Sequence, residues 1–123
     1  MKAVSLAKSQ PNRALAMAET VLEAKPEGEP AALALWAIGQ ARHELGHNQQ
    51  AAAALGKAME GAADPLRARI GVTLAAVESS LGQPANAESR LVSLSSHDHP
   101  VVRGLAISQL GLLRVYRGDT QNA

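Results

Sequence analysis

The sequence predicts an all-α fold, an α-solenoid of about seven helices stacked as antiparallel pairs. Three observations point to it. Gly46, Gly82 and Gly118 recur 36 residues apart, each preceded by Leu or Arg and followed by a polar residue; a fixed period of this length marks stacked supersecondary units. Residues around each glycine recur with it. Gly39, Ala75 and Gly111 lie seven before, Ile38, Leu74 and Leu110 eight before, Ala51, Ala87 and Ala123 five after, and Leu55 and Leu91 nine after. The third observation is composition: 46% hydrophobic but 2% aromatic, with 25 Ala and 10 Gly in 123 residues. The apolar mass is therefore small side chains, which suit helices in close contact.

Each element follows from this pattern. A short helix is expected over 2–9, stopped before Pro11, and a second over 11–25, stopped by Pro26. Pro at a first helical turn gives up an amide that had no partner. The third helix, 31–46, carries Leu35, Ile38, Gly39 and Arg42 at i, i+3, i+4, i+7, the spacing of one helix face. Gly46 should end it, since a positive φ costs glycine least. Asn48 opens the fourth helix, 48–62, with Ala51, Leu55 and Ala58 on one face, and Pro65 separates it from the fifth, 66–82. Pro84 opens the sixth, 84–96, and Pro100 the seventh, 100–117, which Gly118 should end before Thr120 opens another. No segment alternates as a strand.

The units so defined are a partial repeat at 1–26, repeats at 30–64 and 66–99, and a cut repeat at 100–123, all within one domain. Pairs of helices in units of this length, with Leu35, Ile38, Gly39, Gly46, Ala51, Leu55 and Ala58 in the best copy, resemble the tetratricopeptide repeat. The next copy carries Leu74, Ala75, Gly82, Ala87, Leu91 and Leu94. Two departures stand out: Arg42, Glu78 and Arg114 replace large aromatics, and the unit is 36 rather than 34 residues.

The resemblance implies a right-handed superhelix whose first helix in each pair lines a concave groove. The groove residues are then Leu33, Trp36, Gln40 and His43, Arg69 and Thr73, and Ser108, Gln109, Leu112 and Tyr116. Gln40 and Gln109 could bond a peptide backbone, and Trp36 and Tyr116 could anchor an apolar side chain. The plainer reading of Trp36 is packing against the helix that ends near Lys25, and Tyr116 can be structural too. Repeats that grip acidic C-termini hold several cations in these slots. Here Arg69 stands alone, so the groove suits a helix or an apolar peptide. The expected function is a non-catalytic module binding a protein or peptide. The alternative is a regulatory or sensor segment of a larger bacterial protein carrying a transcription regulator or caspase-like peptidase.

Composition excludes other classes. Lys+Arg 12 against Asp+Glu 11 leaves no basic excess for nucleic acid, and zero Cys removes disulfides and thiolate metal sites. No window approaches 18 uncharged apolar residues, so no membrane span is expected and the cytoplasm is the default location. His43-Glu44-Leu45-Gly46-His47 matches H-E-x-x-H, in which two His on one helix face bind zinc. Yet Gly46 is the recurrent turn glycine, so the face should break; no metal or cofactor is expected. His97-Asp98-His99-Pro100 reads as a loop with Asp98 or His99 at a helix cap. The helix over 100–117 is apolar on most faces, which expects neighbours on more than one side. Either a longer chain or self-association through this helix would supply them.

Overall fold

The computed structural model describes residues 2–122, and among them the chain is helical with no strand. The segments are α1 Lys2–Leu6, α2 Pro11–Glu23, α3 Glu29–Glu44, α4 Asn48–Glu60, α5 Leu66–Ser80, α6 Pro84–Leu94 and α7 Pro100–Asn122. Helix starts fall where Pro and Asn placed them. Helix ends do not: α3 and α5 stop two residues before their glycines. The reason is the form of the turn. Gly46 N–H donates to the His43 carbonyl at 3.0 Å and His47 N–H to the Arg42 carbonyl at 2.8 Å. Gly82 N–H donates to Ser79 at 3.2 Å and Gln83 N–H to Glu78 at 2.9 Å, the same pair of bonds 36 residues on. Such a turn puts glycine two places past the last helical residue, in the left-handed region, and the φ values are 82° and 76°.

Gly118 behaves otherwise. It lies inside α7, which continues to Asn122, so Gly118 does not end the helix and Thr120 opens none. Glycine permits a left-handed residue without imposing one. At Gly46 and Gly82 the returning helix packs back and holds the turn; after Gly118 no such helix follows among the described residues. The recurrent alanine expected at Ala123 lies outside them.

Helices pack in chain order. Each touches the next, α1 also touches α3, α3 touches α5 and α5 touches α7; among the described residues the even-numbered helices do not touch one another. The odd helices thus form one row and the even helices a second. Apolar clusters divide the same way. Ala3, Ala18, Ala34 and Ala37 join α1, α2 and α3. Trp36, Ala51, Leu55, Ala58, Ile70, Leu74 and Val77 join α3, α4 and α5. Val72, Ala75, Ala87, Leu91, Ala106, Leu110 and Leu113 join α5, α6 and α7. Among the described residues no helix is long and apolar enough to cross a membrane.

The three residues standing where aromatics were expected each tie one helix to another. Arg42 donates to Gln50 Oε1 at 2.7 Å, linking α3 to α4. Glu78, nine-tenths buried on α5, accepts from Arg90 of α6 at 2.8 and 3.3 Å. Arg114 of α7 donates to Glu88 of α6 at 3.0 Å, and Arg117 pairs with the same carboxylate.

Two tests follow from this packing. A Cβ on Gly39 would sit 2.5 Å from Leu55 Cγ and Cδ2, whereas one on Gly56 would meet nothing within 4 Å. Leu55 is fully buried and cannot swing away. Overpacking should therefore exceed the helix-propensity gain, so Gly39→Ala should cost about 1–2 kcal/mol in urea melts. Gly56→Ala should gain about 0.5–1 kcal/mol. The second test concerns pH. The hydrogen bond from Arg114, reinforced by Arg117, holds the Glu88 carboxyl below its ordinary range. A lowered folded-state value stabilises above the unfolded-chain value, and the benefit disappears as pH falls through the folded one. Glu88→Gln should therefore melt below wild type at pH 7, and the two Tm values should converge as the pH falls through the lowered folded-state value.

Candidate functional site

The row of odd helices carries two clefts. The first, about 580 Å³, lies between Val4 of α1, Glu29, Leu33 and Trp36 of α3, and Pro65, Leu66 and Arg69 at the start of α5. Its geometry is set by Trp36. The indole is 9% exposed and belongs to the core formed with α4 and α5. The expectation that it packs on the helix ending near Lys25 is therefore incorrect. Its Nε1–H donates to Thr73 Oγ1 at 3.0 Å, and the Arg69 guanidinium lies 5.3 Å from the ring centroid. A cation over an indole face is attracted by the ring quadrupole. Trp36 is thus fixed by a hydrogen bond from one helix turn and a stacked arginine from the preceding turn of α5.

The second cleft, about 280 Å³, lies where α3, α5 and α7 converge. His43, Ser79, Ser80, Gln109, Leu112 and Tyr116 surround a floor of Ala75, Ala76, Leu91 and Leu113. His43 Nδ1–H donates to Asn48 Oδ1 at 2.8 Å, which fixes its ring toward the turn into α4. His43 ends up one residue from the end of α3, while His47 lies beyond Gly46. The two histidines do not share a helix face.

The ten expected groove residues are thus divided. Leu33, Trp36 and Arg69 line the first cleft, and His43, Gln109, Leu112 and Tyr116 the second. The other three lie in neither. Thr73 accepts the indole hydrogen bond. Gln40 is buried, and its Nε2 donates to Glu44 Oε1 at 3.0 Å. Ser108 is exposed on α7.

A third cleft, of about 650 Å³, opens between α5, α6 and the α4–α5 connection, and sequence reasoning missed it. Asp64, Arg67, Glu78, Asn86, Arg90 and His97 supply its polar lining. His97 Nδ1 accepts from His99 N–H at 3.0 Å, so the neutral ring carries its proton on Nε2, 3.7 Å from Asp64 Oδ2. His99 Nδ1 in turn accepts from Val101 N–H at 3.3 Å, which makes it the cap expected in this loop. The Glu78 carboxylate is spent on Arg90. The one signal available was Glu78 itself, a carboxylate at a position where the repeat expects an aromatic. Comparison with family models, curated proteins and solved structures found no match.

Thr73→Val tests how Trp36 is held. It removes the acceptor at nearly constant volume and leaves an indole N–H unpaired, which should cost about 1–2 kcal/mol in thermal melts. Emission of the sole tryptophan should shift to shorter wavelength as its hydrogen bond is lost.

Proposed function

We propose that the chain is a non-catalytic protein–protein interaction module, a tetratricopeptide-like α-solenoid acting in the cytoplasm. It takes a peptide or a partner helix along its odd-numbered helices. The supporting observation is the pair of clefts on that row, which gathers seven of the ten expected groove residues. Both clefts border α3 and α5, one near their starts and one near their ends. Leu33 and His43 mark the two sites on α3, and ten residues at a rise of 1.5 Å put them about 15 Å apart. A bound helix would reach both with apolar side chains about ten residues apart, and an extended peptide with side chains about four apart. The polar content of the clefts also favours an apolar ligand. Arg69 is stacked on Trp36 with Glu29 across the same cleft, and the second cleft holds no carboxylate, lysine or arginine.

Selection of a displayed peptide library against the wild-type chain tests this reading. Selected peptides should carry two apolar anchors at one of those spacings and should change Trp36 emission on binding. Arg69→Ala and Leu112→Ser should each weaken binding about tenfold, roughly 1.4 kcal/mol. Peptides that bind both variants as tightly as wild type would place the interaction on another face.

A further inference from the structure

The start of α7 is fastened through two imidazoles in series. Val101 N–H donates to His99 Nδ1 at 3.3 Å, and His99 N–H donates to His97 Nδ1 at 3.0 Å. A backbone amide can only donate, so both Nδ1 atoms must offer a lone pair and each neutral ring holds its proton on Nε2. Nε2 of His97 lies 3.7 Å from Asp64 Oδ2, in the connection between α4 and α5. The series thus runs from the first turn of α7, through the α6–α7 loop, to a second inter-helix loop. Pro100 has no N–H, so Val101 carries the first amide of α7 that needs an acceptor.

Protonation cannot leave this series intact. An imidazolium carries hydrogen on both nitrogens, so a charged ring at either position sets one N–H against another and the bond at that step is lost. For His97 there is a compensation, since a charged ring is attracted to the Asp64 carboxylate. The Asp64 side chain is 65% exposed, however, and an exposed pair contributes little. His99 has no ion pair among the described residues, so nothing replaces the bond it loses.

The other charges nearby hold to partners or to carbonyls. Arg103 of α7 donates to the His97 and Asp98 carbonyls at 3.1 and 3.3 Å, bonds that do not involve either ring. In the cleft that His97 lines, Glu78 of α5 and Arg90 of α6 are paired with each other, and Arg67 of α5 adds a permanent positive charge. At the far end of α7, Arg114 and Arg117 hold Glu88, whose carboxyl is kept below its ordinary range by those arginines. Helix α7 is therefore pinned by charged groups near one end and by neutral imidazoles at the other.

We propose that His97 and His99 form a pH-operated latch on the start of α7, closed when both rings are neutral and opened by their protonation. Imidazole is the side chain that ordinarily changes charge between about pH 5 and 8, so the latch works in that interval. Opening frees the His99 and Val101 amides and lets the first turn of α7 fray, while the far end stays bound to α6. The proposal stands apart from the groove reading, because neither ring lines either of its clefts.

NMR of the 15N-labelled chain from about pH 8 to about pH 5 tests it. At the upper end the ring nitrogen shifts should show both histidines with hydrogen on Nε2. On acidification the His99 and Val101 amide protons should move upfield in step with the rings. Protection of the Val101 amide from solvent exchange should fall about fivefold, the factor that one net hydrogen bond supplies. His99→Asn places at the cap an oxygen that accepts a bond and does not ionise, so its Val101 amide should keep its protection across the interval. A ring with hydrogen on Nδ1 at the upper end would overturn the proposal, as would rings that stay neutral throughout. So would amides that ignore ring protonation, or a His99→Asn chain that responds as wild type does.

Discussion

The architecture depends on how closely α3 and α4 approach at Gly39. Leu55 occupies the volume that a side chain at residue 39 would need, so the two helices meet backbone to side chain. At Gly71 on α5 the fit is looser: a Cβ would lie 3.4 Å from Leu94 and 3.7 Å from Met59, ordinary van der Waals contact. Close approach lets the connections at Gly46 and Gly82 be short, and short connections hold consecutive helices antiparallel. With so few aromatics there is little bulk to fill wider gaps. Small residues are therefore a requirement of the spacing. One consequence is a core divided along the chain, in which each cluster is shared by neighbouring helices.

Where the resemblance calls for an aromatic, this chain uses polar links. Arg42, Glu78 and Arg114 occupy equivalent positions in successive units, yet each finds a different partner: Gln50, Arg90 and Glu88. Burying Glu78 costs desolvation that its two bonds to Arg90 roughly offset, so the pair adds little net stability. Its effect is geometric. A bidentate bond fixes the rotation of α6 on α5 in a way that a smooth apolar contact does not. The arginines of α7 do the same for α7 on α6.

Much of the helical layout was legible because Pro and Gly act locally. The starts at Pro11, Asn48, Pro84 and Pro100 need only the first turn of each helix, and the turns at Gly46 and Gly82 need only one left-handed residue. The end of α7 was not legible, because whether Gly118 turns the chain depends on a helix packing back, which is a tertiary matter. The same division holds in the clefts. Leu33, Trp36 and Arg69 were reachable from helical phase once the resemblance named the first helix of each pair as the groove-lining one. That Thr73 would be consumed by the indole, and Gln40 by Glu44, depends on side-chain partners that periodicity does not contain. The third cleft joins Asp64 to His97, 33 residues apart in sequence, and no local pattern links two inter-helix loops.

Leu112 belongs both to the second cleft and to the outward face of α7. A helix of 3.6 residues per turn cannot separate these surfaces, since a side chain between the buried face and the outer face borders both. Anything that filled the second cleft would therefore also cover part of the outward face of α7. The first cleft lies at the other end of α3 and α5, and no residue of α7 is among those that line it.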